Sequence, residues 1–200
     1  MLEQLNSSRD NGGMRDGSDI VDVTVRALDS IDDSRGSLFE IHRDDWGLAP
    51  RPVQWDLLTT GQNVLRGFHV HRLRWDYIIV LAGRGTIGLK DLRRNHESFG
   101  RSMVVEVTGE RPTVVTIPPG VAHGIFADTA LSHLYGLTVG WDGSDEDLGC
   151  RYDDPALGIG WPSATPNLLP RDLNLPDFAT LLRQYEEVTI SKTADTNEPS

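Results

Sequence analysis

The stretch LRGFHVHRLRWDYIIVLAG, residues 65–83, places His69 and His71 two apart in a run of strand-forming residues. In an extended chain residues i and i+2 share a face, so the two imidazoles stand side by side. Gly67 lets the backbone come close just ahead of them. YIIVLA at 77–82 is apolar throughout, which reads as a central strand covered on both faces. A second stretch, IPPGVAHG at 117–124, supplies Pro118-Pro119-Gly120, a rigid turn that delivers His123 from a different strand. A histidine pair on one face, joined by a third after such a turn, reads as a candidate site rather than as scattered structural imidazoles. His42, His96 and His133 lack comparable company and are read as structural.

Outward from these two stretches the chain is a series of short runs rich in Val, Ile, Thr and aromatics, separated by Gly, Pro and Asp. They include VDVTVRAL (21–28), SLFEIHR (37–43), VQWDLL (53–58), GTIGLKDL (85–92), SMVVEV (102–107), TVVTIP (113–118) and SHLYGLTV (132–139). Strands at this spacing predict an all-β sandwich or barrel. The one good helical pattern is late: in PDFATLLRQYEE (176–187), Phe178, Leu181, Leu182 and Tyr185 keep the i, i+3, i+4, i+7 spacing. A short C-terminal helix packed outside the barrel is expected. Residues 1–20 lack periodicity and are rich in Ser, Asn, Asp and Gly, so a disordered lead is expected there. Residues 189–200 are expected to be a flexible tail, which leaves 21–188 as one domain.

Composition sets the class. At 38% hydrophobic and 24% charged residues the chain is an ordinary globular one. No apolar run approaches the roughly 20 residues a bilayer crossing requires, so no membrane association is expected. The polar, acidic start does not resemble a secretory signal, and the single cysteine, Cys150, suits a reducing compartment; a cytoplasmic location is expected. A formal charge of −11 disfavours nucleic acid as a partner, so an anionic ligand needs a local cluster of arginines.

Two motifs carry a resemblance. His69 to Gly83 reads H-x-H-x4-D-x6-G, and Pro118 to His123 reads P-x-G-x2-H. They are similar to the two cupin motifs, with Asp76 in place of the usual glutamate. More specifically, the chain resembles the dTDP-4-dehydrorhamnose 3,5-epimerase family. The resemblance runs through SRGSLFE (34–40), LRGFH, FGR (99–101), IPPGVAHG, the strand bearing Tyr135, DDPALGIGWP (153–162) and LLPRD (168–172), and covers most of residues 20–187. It implies a cupin jelly roll and an isomerase acting on a dTDP-linked 4-keto-6-deoxyhexose at C3, C5 or both, without a cofactor. It implies that His69 is the base, Asp172 orients it, and Tyr135 is the acid. It places Arg66 at the nucleotide diphosphate, with Arg35 and Glu40 arriving on the swapped N-terminal strand of a homodimer partner. Trp141 falls where the family has a tyrosine and suits stacking on thymine.

Two positions depart from the family. His71 stands where a glutamine is usual and Asp76 where a lysine is usual, and the segment joining His69 to position 76 is shorter. A carboxylate in place of an ammonium adds negative charge near a developing enolate. Two readings of one pocket follow. Either His69 is a free base paired with Asp172, and His71, Asp76 and His123 face the substrate. Or His69, His71, Asp76 and His123 bind one divalent transition metal, and the protein is a metal-dependent isomerase or oxygenase.

Overall fold

The computed structural model describes residues 20–141 and 148–195. Twelve strands are found among them. In chain order they are β1 (Thr24–Ala27), β2 (Ser30–Asp33), β3 (Gly36–Phe39), β4 (Gln54–Thr60), β5 (Leu65–Val70), β6 (Asp76–Ala82), β7 (Arg84–Asp91), β8 (Ser102–Thr108), β9 (Thr113–Ile117), β10 (Val121–Ala127), β11 (Leu131–Leu137) and β12 (Leu148–Gly149). Two helices follow, α1 (Pro170–Leu173) and α2 (Phe178–Asp195).

Ten strands form two five-stranded sheets, ordered β1-β9-β6-β11-β4 and β12-β5-β10-β7-β8. All strand pairings are antiparallel. Face to face, the two sheets make the expected jelly roll, and β2 and β3 form a separate hairpin outside it. The central place of β6 explains its unbroken apolar run. Ile78 and Val80 point inward, onto Ile87, Leu89, Val105, Val115 and Ile125. Tyr77 and Ile79 point outward and are covered by Phe39 at the end of β3 and by Ile41, Trp46 and Leu48 of the connection to β4. With both faces dry over residues 77–80, alternation has no reason to appear there in the sequence.

The second sheet has the same design. Phe68 and Val70 of β5 face outward into a cluster with Leu92, Ala122, Cys150, Leu157 and Leu181, so α2 lies on the outside of the barrel. With residues 68 and 70 turned out, His69 is turned in, and His71, one residue past the strand, lines the same cavity. Burying a Phe or Leu side chain is worth about 1.5–3 kcal/mol, so this packing holds the histidines' facing firmly. The inner cluster fills one end of the barrel and leaves the other end open.

The domain edges differ from the expected ones. Ile20, expected at the end of the lead, is buried in the inner cluster. The helix continues as backbone to Asp195, past the expected end at 188. The rest of the expected lead and tail lies outside the described residues.

Candidate active site

The open end of the barrel is a cavity of about 470 Å³, lined by His69, His71 and His123 together with Arg66, Arg74, Tyr135, Trp141, Arg171 and Asp172. Each side chain arrives by a traceable route. His69 and His123 are register partners on β5 and β10, with an irregularity immediately after, between His123 and Ile125. Gly67 sits across from that irregularity with φ +124°, and a β-carbon on it would lie 2.7 Å from the Gly124 Cα. Only glycine allows this approach of the two strands. The Pro118-Pro119-Gly120 turn leads into β10 as the sequence implies, with Gly120 at φ +83°.

Asp172 comes from the opposite direction. Backbone bonds from Leu65 to the Asn167 carbonyl and from Asn167 to the Asn63 carbonyl clip the late segment onto the start of β5. That brings α1, begun by Pro170, to the cavity. Asp172 is buried there, and its Oδ1 lies 2.9 Å from His69 Nε2. A carboxylate oxygen only accepts, so Nε2–H donates and Nδ1 is left with the lone pair. Arg171 Nε stands 3.5 Å from the same oxygen.

Tyr135 enters from β11 in the facing sheet, and burial, reinforced by Asp76, pushes its phenol pKa upward. It is held as a neutral O–H donor in neutral solution.

The groups that depart from the family sit together. Asp76 is buried at the start of β6, and its Oδ2 is 3.6 Å from His71 Nε2 and 3.4 Å from His123 Nε2. The His71 and His123 rings are 5.4 Å apart between centroids. His123 donates through Nδ1 to the Val121 carbonyl at 3.2 Å, so its Nε2 is an acceptor turned toward a carboxylate. Burial pushes Asp76 up to about 6 and His123 down to about 4. His71 is also held well below the ordinary histidine value, by burial first and then by the charges of His123 and Arg74. What reconciles these acceptors is Arg74. Its Nε donates to Asp76 Oδ1 at 3.1 Å and its Nη2 to His71 Nε2 at 2.9 Å.

This arrangement does not fit the four-ligand metal set. His71, Asp76 and His123 do bring ligand atoms within 4.8 Å of one another, but His69 is not among them. Its Nε2 is engaged with Asp172, and the guanidinium of Arg74 already supplies positive charge to the remaining three. A divalent ion in that place would stand against a fixed cation.

The remaining expected site residues take various places. Asp76 lies beneath the cavity rather than lining it, because it serves as the counter-ion of Arg74. Arg35 and Glu40 do not line the cavity of their own chain: Arg35 pairs with Asp33 on the β2–β3 hairpin and Glu40 with Arg43. Arg66 is exposed at the rim and is braced by Thr60 Oγ1 at 2.8 Å and the Thr59 carbonyl at 3.2 Å. Trp141 is exposed at the same mouth. Arg74 and Arg171 were not singled out in the sequence. The available signals were their neighbours, since Arg74 is two residues before Asp76 and Arg171 is inside LLPRD. His133 is fully buried with its ring 5.6 Å from Tyr135. Among the described residues neither of its ring nitrogens has a hydrogen-bond partner.

Comparison with known proteins gives a consistent result. A family model described as dTDP-4-dehydrorhamnose 3,5-epimerase matches residues 18–180. The dTDP-4-dehydrorhamnose 3,5-epimerase of Sinorhizobium fredii is 31% identical over 183 residues, covering 86% of this chain and 92% of its own length. The spore coat polysaccharide biosynthesis protein SpsL of Bacillus subtilis is 29% identical over 142 residues, 70% of this chain and 94% of its own. Among solved structures, the dTDP-6-deoxy-D-glucose-3,5-epimerase RmlC from Legionella pneumophila, in complex with dTDP-4-keto-L-rhamnose, is similar with a TM-score of 0.73. Its sequence identity is 26%, over 81% of this chain and 93% of that one.

Proposed function

The chain belongs to the dTDP-4-dehydrorhamnose 3,5-epimerase family, an isomerase family of deoxysugar biosynthesis, and from this we propose how its own residues carry out the epimerisation. The substrate is a dTDP-linked 4-keto-6-deoxyhexose, whose ketone acidifies the C–H bonds at C3 and C5. His69 takes a proton through Nδ1, the nitrogen that Asp172 leaves with a lone pair. Asp172 holds the tautomer and stabilises the imidazolium that forms. Tyr135, from the facing sheet, returns a proton to the opposite face of the sugar. Inversion requires a donor across from the base, and the two sheets supply one each. No metal or organic cofactor enters this scheme.

The observation that carries the reading is the 2.9 Å bond between His69 and Asp172 in a cavity shared with a half-buried tyrosine. At the mouth, Arg66 and Arg171 suit the diphosphate, since a guanidinium binds phosphate oxygens in pairs. Trp141 suits the thymine, as a flat ring exposed at the same rim. A homodimer belongs to this reading: the β2–β3 hairpin stands off the barrel with Ile31 and Leu38 exposed, and it carries Arg35 toward a second copy. Light scattering at micromolar concentration tests it, a dimer being expected and a monomer counting against it. Among the described residues no helix is long and apolar enough to cross a membrane. The reading also carries the cytoplasmic location expected from the sequence, which fractionation checks.

The direct test is incubation of dTDP-4-keto-6-deoxyglucose with the protein in deuterated water. Deuterium is expected at C3, C5 or both, and the mass shift counts the positions. Tight binding of the sugar nucleotide with no deuterium incorporated would make the protein a binding module and overturn the proposal.

A further inference from the structure

Three arginines line the cavity, and they differ in depth. Arg171 is 60% exposed, and Arg66 is exposed on the rim. Arg74 is only 13% exposed. It sits against Asp76 and His71, and its charge acts on Tyr135, His71 and His123. Two cations thus stand in water at the mouth, and one stands at the floor with the reacting groups.

On the epimerase reading, the floor has a specific electrostatic need. When the C–H bond breaks, its proton goes to His69 and its electron pair forms a C=C bond. The carbonyl π electrons then move onto the ketone oxygen. On the return step that oxygen re-forms C=O, and the C=C electrons take the proton of the Tyr135 hydroxyl. Between the two steps a full negative charge rests on oxygen inside the cavity. Fixed donors and cations aimed at such an oxygen are commonly the largest single contribution to rate.

We propose that Arg74 receives the ketone oxygen and stabilises the enolate, leaving Arg66 and Arg171 to hold the diphosphate. The assignment follows from depth and charge. The diphosphate is strongly hydrated and anionic, which suits exposed guanidinium groups, while the sugar ring is neutral and enters furthest. A guanidinium is a cation whose five-donor fork can serve several acceptors at once. Asp76 behind it and His71 beside it hold the plane of that fork. The carboxylate at position 76 therefore does not leave the site acidic, because it anchors the cation that the chemistry requires.

The test separates this role from simple neutralisation of Asp76. Wild type, Arg74→Gln, Arg74→Lys and the double variant Arg74→Gln/Asp76→Asn are compared for deuterium incorporation at saturating substrate, dTDP affinity and thermal unfolding. Arg74→Gln is expected to slow exchange by about 10²–10³-fold while dTDP affinity changes by less than about threefold. Arg74→Lys, which keeps the charge, is expected to fall between that variant and wild type. The double variant removes both charges, so it stays folded if the single variant does not, and it is expected to remain slow. Recovery of wild-type exchange in the double variant, or a Lys variant no faster than the Gln variant, would overturn the assignment. A wild type that exchanges nothing would overturn the epimerase reading itself, and that outcome is seen before any variant is made.

Discussion

His69 and Asp172 are 103 residues apart in the chain and share a 2.9 Å hydrogen bond in the barrel. The aspartate comes from the late segment that is clipped onto the start of β5, so the pair exists only with that segment in place. Asp172→Asn keeps the shape but lets the amide donate, which favours the wrong tautomer of His69. A fall of about 10²–10⁴-fold in exchange rate is expected, with dTDP binding retained. Isothermal calorimetry and single-turnover exchange measured on the same preparation check this. Equal rates in the variant and wild type would remove Asp172 from the mechanism.

Tyr135→Phe separates exchange from inversion. His69 remains able to remove a proton and return a solvent deuteron to the same face. Deuterium should therefore still enter the sugar while the inverted product falls by about 10²–10⁴-fold. Proton NMR coupling constants distinguish the epimers. Undiminished inversion would mean that another group delivers the proton.

Gly149 is the register partner of His69 across the β12–β5 ladder. A β-carbon there would lie 2.6 Å from the Phe68 carbonyl oxygen and 3.0 Å from His69 Cδ2. Gly149→Ala is expected to destabilise the fold by about 1–3 kcal/mol, as overpacking does, and to slow exchange by turning the imidazole. Urea unfolding and exchange kinetics read the two effects. A variant unchanged in both would show that β12 yields without cost.

His133 gives a pH signature. Burial, with a smaller contribution from Arg66, holds its folded-state pKa at about 4, below the ordinary 6.5. The folded protein therefore binds fewer protons at this site than the unfolded chain. Its contribution to stability is intact above pH 6.5, declines as pH falls, and is fully lost below about 4. His133→Phe fills a similar volume without titrating, so its melting temperature should fall less than that of wild type between pH 6.5 and 4. The variant should also be more stable at neutral pH, because an unsatisfied buried polar group costs about 1–3 kcal/mol. Parallel melting curves across that range would count against it.

Much of this molecule was readable in the chain. The two histidine stretches and the spacing of apolar runs led to the barrel. The even spacing of His69 and His71 gave their common face, because Phe68 and Val70 had a separate apolar surface to cover. What was not readable has physical causes. The i, i+2 rule stops at the end of β5, and residues 71–75 form a connection. Strand parity therefore could not say that Arg74 and Asp76 would meet as an ion pair. Asp76 read as a substrate-facing group or a metal ligand because its counter-ion is placed by that turn alone. Arg35 sits on the β2–β3 hairpin and Glu40 just after it, and neither lines the cavity of its own chain, so local pattern does not bring them to a site. His133 read as one more structural imidazole, since nothing in SHLYGL announces that its ring nitrogens go without hydrogen-bond partners.

The difference in depth among the three arginines has a consequence for ionic strength. The rim arginines act through water on a chain whose formal charge is −11, a background that repels an anionic ligand. With a Debye length of about 8 Å at physiological salt, both the attraction and the repulsion at the rim are screened, and the close arginine contacts are weakened with them. The Arg74 guanidinium, only 13% exposed, is less open to mobile ions. Added salt should thus raise KM while leaving kcat at saturation nearly constant, so that a bench variable as plain as sodium chloride separates capture of the nucleotide from turnover of the sugar.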